Sequence, residues 1–77
     1  GHALGASGAL EWAISIEALK AQVLPPTLNF TRPDPGIDLD FIPHRGRRTS
    51  DLKYVMSNSF AFGGNNAVLI ARKWEAA

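Results

Sequence analysis

The sequence predicts an α/β fold built of covered layers, with one buried helix, a long proline-rich linker and a β-hairpin in that order. Two observations carry this prediction. The helical stretch is apolar on two opposite faces, and the last strand-like run is apolar without a polar break. A surface helix shows one apolar stripe and a half-solvated strand alternates, so both patterns describe elements covered on two sides.

From about Ala6 to Gln22 the chain holds good helix formers and no proline, and Val23-Leu24-Pro25-Pro26 is expected to stop the helix. At the helical spacing of about 100° per residue, Leu10, Ile14, Ala18 and Ala21 share one face. Trp12, Ile16, Leu19 and Val23 share the roughly opposite one. Only narrow polar strips separate them, Glu11 with Ser15 and Gln22 on one edge and Glu17 with Lys20 on the other.

Residues 25–53 hold all five prolines and several turn signals, including Arg32-Pro33-Asp34-Pro35-Gly36. This pattern predicts an extended linker that contributes reach more than core, with one short strand near Leu39 to Ile42. Within it, His44-Arg45-Gly46-Arg47-Arg48 reads as a solvated, glycine-broken loop, the alternative being a contact for an acidic partner or a phosphate. Tyr54 to Phe62 then reads as a strand, Gly63-Gly64-Asn65-Asn66 as a turn, and Ala67 to Trp74 as the return strand. The run Ala67-Val68-Leu69-Ile70-Ala71 is the unbroken apolar one.

Seventy-seven residues make at most one small domain. A chain of that length buries only about 60–65% of its unfolded surface. Its 45% hydrophobic content and seven aromatic residues are globular, and a net charge of +1 offers no bulk electrostatic basis for a nucleic-acid or membrane partner. There is no cysteine, so neither a disulfide frame nor a thiol nucleophile is present. The two histidines lack metal-ligand spacing, and no apolar run approaches the roughly 18 residues of a membrane span. The absence of an initiating Met points to a natural start upstream.

The opening Gly1-His2-Ala3-Leu4-Gly5-Ala6-Ser7-Gly8 sets a histidine among small residues at a helix entrance. Such a ring can be fixed by close backbone packing while one nitrogen faces a cavity. By itself the motif fits an expression-tag remnant or a disordered end equally well. Read together with Ala9-Leu10-Glu11, Pro25-Pro26-Thr27-Leu28-Asn29, Pro33-Asp34-Pro35-Gly36, Asp38-Leu39-Asp40-Phe41-Ile42-Pro43-His44 and Asn58-Ser59-Phe60-Ala61-Phe62-Gly63-Gly64-Asn65-Asn66, it closely resembles the C-terminal part of the elongating β-ketoacyl-acyl carrier protein synthases. The blocks follow the family's order and spacing along essentially the whole chain.

The resemblance implies the thiolase-like fold, a five-layered αβαβα sandwich of two related halves, with residues 1–77 an incomplete second half. It implies a 3-oxoacyl-acyl carrier protein synthase, an acyltransferase of fatty-acid biosynthesis that condenses malonyl groups with an acyl-enzyme thioester by decarboxylation. Acyl carrier protein would be the partner, the full-length protein a cytoplasmic homodimer, and no cofactor, nucleic acid or membrane would be involved. The catalytic cysteine, a first histidine and a lysine would lie upstream, so this segment by itself is expected to be inactive.

Residue by residue, the resemblance makes His2 the second catalytic histidine, a donor to the charge developing on the malonyl thioester oxygen. Glu11 would order the site from behind through a buried polar network; without the resemblance it is a glutamate near the helix start, favoured by the macrodipole. The backbone N–H of Phe62 would form half of the oxyanion hole and its ring the gate to the acyl pocket. Phe60 would line the approach of the pantetheine arm, and Gly63 and Gly64 would belong to the substrate-binding gating loop. The residues alone read as a core strand face and a hairpin turn.

Two departures from the family pattern stand in that loop, Ala61 where glycine is usual and Asn65 where threonine is usual. A Cβ at position 61 removes positive-φ conformations and predicts a stiffer gate. The ending Asn66-Ala67-Val68-Leu69-Ile70 to Trp74-Glu75-Ala76-Ala77 resembles discrete synthases more than modular polyketide synthases. A non-catalytic chain-length-factor-like partner of the same fold and an inactive stand-alone fragment are the alternative readings.

Overall fold

The computed structural model describes residues 1–75. Ala76 and Ala77, which closed the comparison with modular synthases, lie outside the described residues. A 3₁₀ turn, Leu4–Ala6, leads into helix α1, Ser7–Ala21. Strand β1, Val23–Leu24, pairs antiparallel with β2, Arg47–Arg48. Strand β3, Tyr54–Phe60, pairs antiparallel with β4, Asn66–Arg72. Helix, linker and hairpin thus follow the expected order, an arrangement compatible with an α/β fragment.

The helix ends at Ala21 because Gln22, its cap, turns left-handed at φ 56° while its N–H still bonds Ala18 O. The prolines at 25 and 26 are not what ends it. Gln22 was expected on a polar strip, yet its half-buried amide clamps the chain thirty residues away. Its Oε1 accepts from Leu52 N at 3.0 Å, and its Nε2 donates to Leu52 O at 2.9 Å and Leu19 O at 2.7 Å. Thr49 N–H adds a bond to Gln22 O at 2.9 Å. An amide side chain carries a donor and an acceptor, so it pairs with Leu52 much as a neighbouring backbone would.

The two apolar faces of α1 meet different fates. Leu19 is buried, Trp12 and Ile16 are half-buried, and the helix packs mainly on β3, whose half-buried face is Val55, Ser57 and Ser59. Leu10 and Ile14 on the other face are 54% and 57% exposed. A shallow apolar groove there runs along Ala13, Ile14, Ala18, Ala21, Val23 and Pro25. In β4, Val68, Leu69 and Ile70 are all exposed although their side chains alternate between the two sheet faces. Both elements expected to be inner layers therefore carry apolar faces that residues 1–75 leave open.

The linker departs from expectation. Residues 39–42 form no strand, because Asp40 Oδ1 accepts from Ile42 N at 3.1 Å and Ile42 adopts φ 50°, followed by His44 at φ 69°. A side-chain acceptor two residues back competes with ladder pairing and closes a turn. Nor is the linker an extended reach. It leaves β1 and returns to β2, with Thr27 N–H bonding Ile42 O at 2.9 Å and Phe30 stacked on Phe41 at 5.1 Å between ring centroids.

The arginine run is likewise not a free loop, since Arg47 and Arg48 form β2 and Arg47 makes a two-pronged ion pair with Asp40. Gly46 permits that return: a Cβ there would lie 3.1 Å from Leu24 O.

Candidate active site

The N-terminal arm reaches its site through two local devices. Leu4 has a left-handed backbone, φ 51°, uncommon for a bulky side chain and costing about 1–2 kcal/mol. Its N–H donates to His2 Nδ1 at 2.8 Å. A backbone N–H can only donate, so Nδ1 is the unprotonated nitrogen and the neutral ring carries its proton on Nε2. Ser7, the first residue of α1, places its hydroxyl 3.2 Å from the same Nδ1.

The opposite wall comes from the end of β3 and the hairpin loop. Pairing in register from Tyr54 with Arg72 to Phe60 with Asn66 leaves Ala61 to Asn65 as the connection. Ala61 N–H donates to Asn65 O at 2.8 Å and Gly64 N–H to Ala61 O at 3.2 Å, which closes the loop. Gly63 and Gly64 have φ of 90° and 86°, conformations that suit glycine, whereas Ala61 lies outside the left-handed region. The turn's demand for positive φ is met after Phe62 and not before it. The Phe62 side chain is fully exposed, and among the described residues its N–H meets no protein acceptor.

The two walls enclose one open cleft of about 890 Å³ that touches His2, Glu11, Phe60 and Phe62. Four of the residues expected to act together are thus brought to one place from the N-terminal arm, α1, the end of β3 and the hairpin loop. Gly63 and Gly64 shape the loop without lining the cleft. Sequence reasoning passed over Leu4, Ser7, Asn58 and Ser59, which also line it. A hydroxyl five residues after the histidine was visible, but only the 3₁₀ turn reveals that it meets the ring.

Glu11 differs from expectation in its surroundings. It is exposed, and its carboxylate has no hydrogen-bond partner among the described residues; its bond with Ser15 uses the Glu11 carbonyl. The buried network anticipated around it is not built by residues 1–75, since the lysine expected to complete it belongs to a motif absent from this chain.

Electrostatics away from the cleft centre on Asp40 and Arg47. Hydrogen bonding to Arg47, and then to the Ile42 N–H, holds the Asp40 carboxyl below its usual range, and the same pair raises the Arg47 guanidinium. Among the described residues no group of three or more His, Cys, Asp and Glu side chains gathers as a metal site would, and no helix is long and apolar enough to cross a membrane.

Comparison with known proteins agrees with the resemblance seen in the sequence. Residues 1–31 match the family described as β-ketoacyl synthase, C-terminal domain. The chain is 51% identical over 70 residues to 3-oxoacyl-(acyl-carrier-protein) synthase 2 of Coxiella burnetii, covering 91% of this chain and 17% of that protein. It is 44% identical over 73 residues to the synthase 2 of Vibrio harveyi, covering 95% of the chain and 17% of the relative. Against the synthase 2 of Staphylococcus aureus strain COL it is 45% identical over 76 residues, covering 99% and 18%. The chain therefore spans less than a fifth of the length of the curated relatives it matches. By these matches, together with its motif order, the chain belongs to the β-ketoacyl synthase family and corresponds to the C-terminal segment of its members.

Proposed function

We propose that residues 1–77 supply part of the active site of a 3-oxoacyl-acyl carrier protein synthase, an acyltransferase that elongates fatty acids by decarboxylative condensation. The observation that carries this reading is the Leu4 N–H bond to His2 Nδ1, which leaves Nε2–H as the donor of a neutral ring on the cleft shared with Phe60 and Phe62.

When a malonyl thioester loses carbon dioxide, the electron pair of the broken carbon–carbon bond moves toward the thioester oxygen. A donor already aimed at that oxygen stabilises the charge without reorganising at the moment of reaction, which typically contributes several kcal/mol. His2 Nε2–H takes that role. The carbanion then attacks the acyl thioester held on a cysteine upstream of this segment. Covalent capture of the acyl chain divides the condensation into separate steps.

The tetrahedral oxyanion of that attack is received by the Phe62 N–H together with the cysteine's own N–H. That the Phe62 N–H meets no protein acceptor among the described residues supports this assignment. The Phe62 ring serves as the acyl-pocket gate, Phe60 lines the pantetheine approach, Gly63 and Gly64 supply the loop's turn, and Glu11 orders the site from behind. The whole protein is read as a thiolase-like five-layered sandwich with this segment in its second half, a cytoplasmic homodimer served by acyl carrier protein. The open faces of α1 and β4 support that layering, because each requires a cover.

The test is His2→Ala in the intact protein. Decarboxylation of malonyl-acyl carrier protein should be lost while acyl transfer to the cysteine is spared. Retained decarboxylation would refute the role of His2.

A further inference from the structure

We propose that Ser7 is a positioning residue for His2, holding its ring through the Oγ contact to Nδ1 and so tying the histidine to helix α1. This rests on the reading of His2 as the donor in decarboxylation.

His2 is exposed on an arm of three residues without regular structure, ahead of the 3₁₀ turn. Its bond from Leu4 N–H is local, spanning two residues, and moves with the arm itself. Ser7 is different, because it is the first residue of a fifteen-residue helix. A bond to Ser7 therefore references the ring to a rigid element, and catalytic groups positioned from such elements are held more closely than groups on loops.

The hydroxyl has no competing task. The N-cap of α1 is Ala6, with no side-chain capping bond, and the Ser7 hydroxyl, 3.2 Å from Nδ1, makes no other hydrogen bond among the described residues. Because Leu4 N–H already requires Nδ1 to accept, the Ser7 O–H can meet it only as a donor, sharing the single Nδ1 lone pair as the longer arm of a three-centre bond, and both donors favour the same tautomer. The consequence is a narrower spread of orientations for Nε2–H.

The experiment uses the intact protein with ¹⁵N-labelled histidine, in wild-type, Ser7→Ala, Ser7→Thr and His2→Ala forms. The His2→Ala form identifies the His2 resonances. Ser7→Ala should lower kcat for malonyl decarboxylation by about three- to tenfold, the rate equivalent of one ordinary hydrogen bond. KM and the acyl-transfer step should stay at wild-type values, and the Nδ1 resonance should move toward that of an imine nitrogen with fewer donors. Ser7→Thr, which keeps the hydroxyl, should restore both rate and resonance.

A Ser7→Ala protein with unchanged decarboxylation and unchanged Nδ1 resonance, beside an inactive His2→Ala, would overturn the role of Ser7 alone. So would failure of a normally folded Ser7→Thr protein to restore either. Wild-type decarboxylation by His2→Ala would instead overturn the reading of His2 on which the role depends.

Discussion

Produced as a separate polypeptide, residues 1–77 should not fold cooperatively. A compact monomer of 8.3 kDa exposes about 4,600 Å². This chain exposes 6802 Å², an excess of about 2,200 Å² over that expectation. If a little over half of the excess is apolar, as protein surface usually is, the missing burial amounts to about 30 kcal/mol at about 25 cal/mol per Å². Net stabilities are only about 5–15 kcal/mol, so the deficit decides the outcome.

Part of it lies on the uncovered layer faces, at Leu10 and Ile14 on α1 and Val68, Leu69 and Ile70 on β4, and more at Leu4, Leu28, Leu39, Phe60, Phe62 and Trp74. Leu19 is the one buried apolar residue among the described residues, too little to stand as a core. Calorimetry with near-UV circular dichroism and dye binding tests the expectation. The isolated chain should bind a hydrophobic dye, lack near-UV signal and melt without a heat-absorption peak, or aggregate as its concentration rises. A sharp two-state transition of the isolated monomer, with equal calorimetric and van't Hoff enthalpies, would refute the reasoning.

Other perturbations read individual features of the intact protein. Gln22→Ala removes the bonds to Leu19 and Leu52 and should cost about 1–3 kcal/mol by denaturant unfolding, with an unchanged midpoint counting against the clamp. Ala61→Gly should speed acylation about two- to fivefold by loosening the loop before Phe62, and identical acylation kinetics would dismiss the stiff-gate idea.

Asp40→Asn should make stability less dependent on pH at the acid end. The folded Asp40 carboxyl titrates below its unfolded value, so its contribution is present above the unfolded pKa near 3.8 and disappears as pH falls through the folded one. Because the pair is exposed, salt should shrink the difference from wild type. Identical acid limbs for the two proteins would remove Asp40 from the account.

The helix and hairpin were legible because their signals are local. A proline-free run of helix formers and an apolar run broken by Gly63-Gly64 each specify backbone geometry over a few neighbouring residues, and the observed elements differ only at their ends. The linker was not legible for the opposite reason. Its path depends on Asp40 accepting from Ile42 and Arg47, and on Gly46 admitting Leu24 O, contacts between residues whose separation the sequence does not weigh.

The candidate site divides in the same way. The identities of His2, Glu11, Phe60 and Phe62 came from motif order, since the reaction needs particular functional groups in a particular sequence context. Their meeting on one cleft, the tautomer imposed by Leu4, and the contact from Ser7 came only with the tertiary structure. By itself the sequence determined the helix and the hairpin, marked His2, Glu11, Phe60 and Phe62 as candidates through motif resemblance, and required covers for two apolar faces. The tertiary structure decided which face of α1 is covered by the hairpin and how the linker closes. Periodicity records that a surface avoids water, while the surface that covers it is chosen by the path of the whole chain.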